Sequence, residues 1–326
     1  MVRRSRWVRG SRVALLLGSL AVLLTGCSAH AIERNLRFGW HTGVTKQAEE
    51  MRVLWTWAGV AALAVGAGVW GLIFWACIRY RKKDDALPKQ TKFNLPLEIV
   101  YSTVPFLIIG VLFWRTVVVE DNVDYIGKNP DVTVQVDAFK WSWQFEYHTY
   151  RSGGATLTAA YAGLTNPVDP TLPYYLSTTG STNEVPVLVL PVNSTVLVDE
   201  HSEDVIHSFW VPQFLFKRDV IPYGTNKTTR DNKFEFQPTA EGSFVGRCAE
   251  LCGTYHAQMT FEVRVVSQQT FQAYLAALAK LPPSASDFAA RQSIALKAAG
   301  MAPFATTTHP FNPSRTDRSA AQNPGS

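Results

Sequence analysis

The chain has 326 residues, 47% of them hydrophobic, and a formal net charge of +5 at pH 7. This length exceeds that of a single small module and leaves room for membrane spans together with one sizeable domain. The basic residues are concentrated before residue 120, because residues 120–266 contain ten Lys and Arg against eighteen Asp and Glu, a net charge of −8. So acidic a domain argues against nucleic acid as a ligand and favours a partner with a basic surface.

Residues 1–26 have the plan of a bacterial export signal, with several arginines followed by an apolar run at 13–24. The run is too short to span a bilayer. It leads into Leu24-Thr25-Gly26-Cys27, which resembles the lipobox of bacterial lipoproteins. We therefore predict a lipoprotein-type signal peptide at 1–26 and a diacylglycerol group on Cys27. The alternative is an uncleaved anchor with an incidental cysteine.

Two further apolar stretches, at 51–78 and 97–119, are each long enough to cross a hydrocarbon core of roughly 30 Å as a helix. Between them lie six basic residues and only two acidic ones, and a basic loop of this kind remains in the cytoplasm. The sequence therefore predicts an outer segment at 27–50, a membrane hairpin at 51–119 and an outer domain from residue 120 onward. This topology describes a multi-pass protein of the bacterial cytoplasmic membrane.

The outer domain, residues 120–266, is rich in short alternating segments. Strands are predicted at 132–137, 139–147, 187–190, 195–199, 233–237, 242–247 and 260–266. Short strands separated by Pro, Gly and Asn turns are typical of an antiparallel sandwich or barrel. Residues 148–185 show no clear period and are interpreted as a long surface insertion. The extension at 267–326 is expected to form short helices near 270–279 and 285–298 and then to be disordered.

One short segment of this domain concentrates metal-binding side chains. The run Cys248-Ala249-Glu250-Leu251-Cys252-Gly253-Thr254-Tyr255-His256-Ala257-Gln258-Met259 holds two thiols, an imidazole and a thioether. A disulfide is the first alternative for an exported cysteine pair, but a disulfide needs neither the histidine nor the methionine. Zinc is the second alternative, but methionine is a poor zinc ligand, whereas soft donors of this kind select copper.

The number of donors predicts two copper ions. A blue-copper site uses one cysteine, and this loop offers one thiolate more. Two sulfurs can bridge two ions, each of which then needs a terminal imidazole and a weak axial donor. His256 can supply one imidazole and Met259 the thioether. We expect His207 to supply the second imidazole and the carbonyl of Glu250 to complete the set.

Four motifs resemble those of subunit II of haem-copper cytochrome c oxidases. They are Trp141-Ser142-Trp143, Ser202-Glu203-Asp204-Val205-Ile206-His207-Ser208, Lys217-x-Asp219-x-x-Pro222 and the C-x-E-x-C-x-x-x-H-x-x-M loop. The resemblance covers residues 50–266. It implies an α+β membrane protein in which a two-helix transmembrane hairpin is followed by a cupredoxin-type Greek-key β-barrel, in agreement with the predicted helices and strands.

The resemblance also implies a function for the copper pair. In this family the binuclear centre, CuA, accepts electrons from cytochrome c or a membrane-bound c-type cytochrome and passes them to haem in subunit I. There oxygen is reduced to water while protons are pumped. The chain contains no C-x-x-C-H motif for covalent haem, so the donor must be a separate cytochrome. The expected partners are subunit I, other oxidase subunits, this donor and membrane lipid.

Further sites are implied by the same resemblance. Glu250 and Asp219 match residues at a magnesium ion on the subunit I interface, although without the family each is interpreted as a surface carboxylate. Glu98 becomes a candidate for the mouth of a proton path into subunit I. The alternative for Glu98 is an acid that complements the N-terminus of a helix.

The aromatic residues at 139–145 are expected to form the surface at which electrons arrive. Phe139, Trp141 and Trp143 are the candidates, because flat rings allow close docking of a haem edge. The alternative is core packing, which applies to alternate members of any such strand. The sequence leaves open which of the three accepts the electron.

Two other functions remain compatible with the sequence. The copper subunit of a nitric oxide reductase can carry a similar centre, and the catalytic subunit alone would decide between the two substrates. A lipid-anchored copper-binding protein belongs to a different class, but it would rarely need two spans in addition to an anchor.

Overall fold

The computed structural model describes residues 40–82, 85, 87, 90–152, 155–156, 176–181, 184–222, 232–281 and 288–310. The chain divides into two units, Met1–Thr42 and Gly43–Ser326, and the elements below belong to the second. The predicted signal peptide, the lipidation site Cys27 and most of the predicted insertion at 148–185 lie outside the described residues.

Two long apolar helices open the second unit, α1 (Lys46–Arg79) and α2 (Leu95–Val123). With 34 and 29 residues and mean hydropathies of 2.0 and 1.9, both are long and apolar enough to cross a membrane. The first begins with a side-chain cap, in which Thr45 accepts a hydrogen bond from the amide of Ala48 at 3.0 Å. The two helices confirm the predicted pair of apolar helices.

The strands that follow form two sheets. They are β1 (Val132–Phe139), β2 (Ser142–Ser152), β3 (Ala155–Thr156), β4 (Ser177–Thr179), β5 (Val187–Pro191), β6 (Val196–Ser202), β7 (His207–Val211), β8 (Phe216–Val220), β9 (Lys233–Phe236), β10 (Gly242–Cys248) and β11 (Thr260–Val266). The first sheet has the order β3-β2-β1-β6-β9, with β4 paired to β2, and the second has the order β5-β11-β10-β7-β8. β1 runs parallel to β6, and β5 runs parallel to β11. Two such sheets after a helix pair confirm the predicted fold class, a cupredoxin-type barrel behind two helices.

The core of the barrel lies between the sheets and is built from alternate residues of the strands. Val132, Val134 and Val136 of β1 are fully buried, as are Phe261 and Val263 of β11. Residues at every second position therefore face inward, which is the period from which these two strands were predicted.

The barrel is joined to the ends of both long helices. At the start of α1, the amide of Lys46 donates a hydrogen bond to the carbonyl of Gln237 at 2.9 Å. At the end of α2, Asp124 forms an ion pair of 2.9 Å with Arg218 on β8. The start of α1 and the end of α2 lie on one side of the hairpin, so the barrel is fixed on that side.

The C-terminal extension packs against the barrel as two helices, α3 (Gln268–Ala279) and α4 (Phe288–Ala298). Phe271, Tyr274 and Leu278 on one face of α3 are fully buried. Because these side chains are four or three residues apart, they form a single apolar stripe. The extension therefore adds to the hydrophobic core of the barrel.

Residues 302–308, the strap, lie along the outer face of β11. Oε2 of the buried Glu262 accepts four hydrogen bonds from the amides and hydroxyls of Thr306 and Thr307. Arg264, which pairs with Glu262, donates to two carbonyls of the strap. The prediction of disorder after α4 is therefore wrong for the strap, whose polar groups satisfy a buried ion pair.

Candidate metal centre

Two neighbouring strands bring the first two candidate ligands together. His207 is the first residue of β7, and Cys248 is the last residue of β10. The strands are antiparallel, with Cys248 opposite Phe209, so the end of one lies beside the start of the other. His207 is fully buried and Cys248 is 7% exposed. Residues distant in the chain thus meet at one end of the barrel.

The loop 249–259 closes over this end and supplies the other candidate ligands. The antiparallel pairing of β10 with β11 holds both ends of the loop. Cys252 and Met259 are buried, whereas His256, at the start of a short 3-10 helix, is half-buried. The loop therefore presents sulfur donors inward and one imidazole near its surface.

The two thiols lie at the centre of the cluster. The Sγ atoms of Cys248 and Cys252 are 3.8 Å apart, and both cysteines are free rather than disulfide-bonded. Each thiol has its own imidazole. Nδ1 of His207 lies 3.8 Å from Sγ of Cys248, and Nδ1 of His256 lies 3.5 Å from Sγ of Cys252.

Two weaker donors lie beside the thiols. Sδ of Met259 is 3.8 Å from Sγ of Cys252, and the carbonyl oxygen of Glu250 is 3.2 Å from Sγ of Cys248. The structure therefore brings together all six residues that the sequence proposed as copper ligands. They form two sets, each with a thiol, an imidazole and one weaker donor.

The donor set fits copper, since thiol, imidazole and thioether are soft or borderline ligands. The ligand atoms of His207, Cys248 and Cys252 all lie within 4.8 Å of one another. Burial and the neighbouring thiol of Cys248 raise the pKa of Cys252 to about 12, so ion binding must displace a proton. Burial lowers the pKa of His207, which favours the neutral ring that binds a metal.

A carboxylate that the sequence analysis did not single out holds the buried imidazole. Oδ1 of Asp204 lies 2.8 Å from Nε2 of His207. The carboxylate also accepts hydrogen bonds from the amides of Val205 at 2.6 Å and Lys140 at 2.8 Å. Burial raises the pKa of Asp204, but the hydrogen bonds from His207 and these amides outweigh burial and lower it overall. The spacing Asp-x-x-His was the available signal, because metal-bound histidines commonly donate to a carboxylate.

The three candidate aromatic residues occupy different environments. Trp143 is fully buried and packs against the rings of Phe209 and Phe261. Trp141 is half-buried, and its indole N–H donates a hydrogen bond to the carbonyl of Cys252 at 3.3 Å. Phe139 ends β1 and is also half-buried. Of the three, Trp141 therefore combines partial exposure with a hydrogen bond to a candidate ligand.

The close approach of Trp141 explains a glycine in the loop. Gly253 has a φ of +121°, and a Cβ at this position would lie 3.3 Å from the indole ring. The indole also packs edge-on against Tyr255, with ring centroids 4.8 Å apart. Two residues of the loop, Gly253 and Tyr255, therefore pack closely against the indole of Trp141.

The two predicted magnesium residues lie on adjacent segments. Asp219 on β8 is opposite Ser208 of β7, and the carbonyl of Ser208 accepts a hydrogen bond from the amide of Ala249 at 3.0 Å. Glu250 follows directly. Both acidic side chains are exposed, so they lie at the copper end of the barrel on its surface.

Glu98 lies far from this cluster in the chain, in the first turn of α2. Its carboxylate accepts a hydrogen bond from the amide of Asn94 at 2.9 Å. Asn94 in turn accepts a hydrogen bond from the amide of Leu97. This reciprocal arrangement caps the helix.

Comparisons with known proteins agree with this site. Residues 132–266 match a family model described as the periplasmic domain of cytochrome c oxidase subunit II. The probable cytochrome c oxidase subunit 2 of Nocardia farcinica is 43% identical and covers 98% of this chain and 92% of the relative. The chain belongs to the cytochrome c oxidase subunit II family.

Other relatives carry the same family name. Cytochrome c oxidase subunit 2 of Mycobacterium tuberculosis is 41% identical over 95% of this chain and 91% of its own length. Among solved structures, the periplasmic domain of subunit II of the Bradyrhizobium japonicum cytochrome oxidase is 26% identical. It covers 46% of this chain and 95% of that chain, with a TM-score of 0.33.

Membership of the subunit II family decides the main functional prediction. The chain is an oxidase subunit that acts with other oxidase subunits, and the prediction of an electron-transfer function is confirmed. Its two apolar helices and periplasmic-type barrel identify a membrane protein with an outer-face domain. Its cysteine and histidine cluster identifies that domain as copper-binding. The nitric oxide reductase alternative is not favoured, since the relatives named above are oxidase subunits.

Proposed function

We propose that this chain holds a binuclear CuA centre that accepts electrons from a c-type cytochrome and passes them to haem in subunit I. Oxygen would be reduced to water there, with protons pumped across the membrane. The observation that carries the proposal is the pair of free thiols 3.8 Å apart, each with its own imidazole within 3.8 Å. A mononuclear blue-copper site uses one cysteine, so it would leave the second thiol without a ligand role.

Six residues would hold the two ions. Cys248, Cys252, His207 and His256 would be the stronger ligands. Met259 and the carbonyl of Glu250 would complete the two sets as weak donors, a list that matches the predicted one. The copper pair would supply a one-electron carrier whose charge is shared through the sulfurs. The protein keeps the ligands in place by burial, so little rearrangement accompanies electron transfer.

We assign electron uptake to Trp141 rather than to Phe139 or Trp143. Trp143 is fully buried, so no haem edge can dock on it. Phe139 is half-buried, and among the described residues it makes no hydrogen bond or ring contact with the loop. The indole of Trp141 reaches the carbonyl of Cys252 directly, which supports a short route from the surface to a bridging thiol.

We further propose a magnesium site from the carboxylates of Glu250 and Asp219 at the interface with subunit I. Support comes from their position on adjacent segments at the copper end and from the preference of magnesium for carboxylate oxygen. Glu250 would then serve twice, with its carbonyl toward copper and its carboxylate toward magnesium.

Three other assignments stay proposals. Glu98 is proposed as the mouth of a proton path into subunit I, supported by an ionisable side chain at the start of an apolar helix. Cys27 is proposed as a lipid anchor on the outer face of the cytoplasmic membrane. A separate c-type cytochrome, soluble or membrane-bound, is proposed as the donor, attracted by the acidic barrel.

The binuclear centre is tested on the detergent-purified oxidase by electron paramagnetic resonance. We expect a mixed-valence signal in which one unpaired electron couples to two copper nuclei. Cys252→Ser should abolish this signal, because it removes one bridging thiolate. Cys77→Ser is the matched control, since Cys77 is an exposed residue of α1, and it should leave the signal unchanged. A Cys248–Cys252 disulfide in the purified complex would contradict the proposal.

A further inference from the structure

We propose that Asp204 is a positioning residue that joins the buried copper ligand His207 to the turn carrying Trp141. This inference rests on the proposed CuA function and adds a residue to it. Two hydrogen bonds accepted by one carboxylate carry the argument. Oδ1 faces Nε2 of His207 at 2.8 Å, and Oδ2 accepts from the amide of Lys140 at 2.8 Å.

The first hydrogen bond fixes the tautomer of His207. A carboxylate only accepts hydrogen bonds, so the proton of the neutral ring must lie on Nε2. Nδ1 then keeps its lone pair and points toward Cys248, whose Sγ is 3.8 Å away. The amide of Val205 also donates to Oδ1 at 2.6 Å, which holds the carboxylate in this orientation.

The second hydrogen bond fixes the turn between β1 and β2. Lys140 directly precedes Trp141 in that turn, and it is exposed. The indole N–H of Trp141 donates a hydrogen bond to the carbonyl of Cys252 at 3.3 Å. The indole is therefore tied to both halves of the cluster, to His207 through Asp204 and to Cys252 directly.

The two imidazoles differ in whether a carboxylate accepts a hydrogen bond from the ring. His207 is fully buried with a carboxylate partner, whereas His256 is half-buried and has no carboxylate within hydrogen-bond distance among the described residues. A negative charge beside one terminal ligand favours the more oxidised ion at that position. We infer that Asp204 makes the two halves of the centre unequal and lowers its reduction potential.

The test uses the complete oxidase with Asp204→Asn. An amide has one acceptor oxygen and cannot satisfy both His207 and Lys140, so the ring or the turn must lose the hydrogen bond that aligns it. We expect copper to be retained, the hyperfine pattern to change and the reduction potential to rise. We also expect kcat with a reduced c-type cytochrome to fall by about tenfold to a hundredfold, as for other partners of metal ligands.

Glu203→Gln is the matched control. It removes the same charge one residue away, from a side chain that is 61% exposed and faces His201 rather than His207. This control should alter KM for the cytochrome but leave the hyperfine pattern, the potential and kcat unchanged. Asp204→Glu keeps the charge, so it should restore the potential while its longer side chain still alters the hyperfine pattern.

Three outcomes would overturn the inference. The first is a wild-type hyperfine pattern and a wild-type potential in Asp204→Asn. The second is the same spectral change in Glu203→Gln as in Asp204→Asn. The third, which applies if Asp204→Asn does not assemble, is a wild-type hyperfine pattern in Asp204→Glu. A wild-type oxidase whose signal arises from a single copper nucleus would instead overturn the proposed binuclear centre, so the two failures are distinguishable.

Discussion

Asp137 is a buried acidic residue whose surroundings disfavour the charged carboxylate. It lies on β1 with only 6% of its surface exposed, and it accepts a hydrogen bond from Gln135 at 2.9 Å. Burial raises its pKa from 3.8 to about 7, with help from the negative charges of Glu146 and Glu203. The hydrogen bond from Gln135 and the charge of His148 oppose this shift but are outweighed.

This shift predicts a dependence of stability on pH. Because the folded pKa lies above the unfolded one, the folded protein binds the proton more tightly. The contribution of Asp137 to stability is therefore full below about pH 4 and is lost as pH rises through about 7. Asp137→Asn removes the titration, so the melting temperature of the variant should rise relative to wild type between pH 5 and pH 8.

The measurement is thermal unfolding of the detergent-purified oxidase at both pH values. Asp121→Asn, which alters an exposed carboxylate on α2, is the control and should follow the wild type at each pH. A constant difference in melting temperature between Asp137→Asn and wild type would show that Asp137 does not titrate in this window.

At the scale of the elements, the strap makes the last strand of the barrel dependent on the C-terminal extension. Glu262 on β11 is fully buried, and four of its hydrogen bonds come from the strap. β11 begins at Thr260, immediately after Met259. The strap therefore stabilises the strand that follows the copper loop.

Truncation tests this dependence. A chain ending at Ala299 lacks the strap and leaves the Glu262 carboxylate without these four donors, whereas a chain ending at Pro310 keeps them. We expect the shorter chain to lose roughly 1–3 kcal/mol of unfolding free energy, the cost of an unsatisfied buried acceptor. The longer truncated chain should match the full-length protein. Equal melting temperatures for both truncated chains, followed in the purified oxidase, would contradict the assignment.

Hydrophobic period explains which elements the sequence predicts. Apolar and polar residues alternate along most of β1 and β11, so the sequence predicts both strands with nearly correct bounds. β8 was missed because it is an edge strand that carries Lys217, Arg218 and Asp219 in succession. The strap was missed because its order comes from a buried ion pair on another element, which local composition does not reveal.

Part of the candidate site can likewise be predicted from the sequence, and part cannot. Cys248, Cys252, His256 and Met259 are close in sequence, so their spacing alone identifies a metal-binding loop. The burial of Trp143 and the hydrogen bond from Lys140 to Asp204 depend on how β1, β2 and β7 meet. The second contact joins residues more than sixty positions apart, and no local pattern records it.

At the scale of the whole molecule, charge is separated along the chain. Residues 120–266 carry a net charge of −8, whereas the chain as a whole carries +5. Such an acidic domain raises the association rate of a basic partner at low ionic strength. The effect falls as salt rises, since the screening length shrinks from about 30 Å at 0.01 M to about 8 Å at 0.15 M.

We therefore predict that electron uptake from a basic soluble cytochrome c weakens as salt increases. The value of kcat/KM should fall between 0.01 M and 0.15 M salt, through KM rather than kcat, because salt screens the encounter and leaves the copper cluster unaltered. Glu203→Gln, close to the cluster, should reduce this salt dependence. Glu241→Gln removes an exposed charge before the first residue of β10, at the opposite end from Cys248, and should behave as wild type. Equal salt dependence in both variants would place the docking surface elsewhere on the barrel.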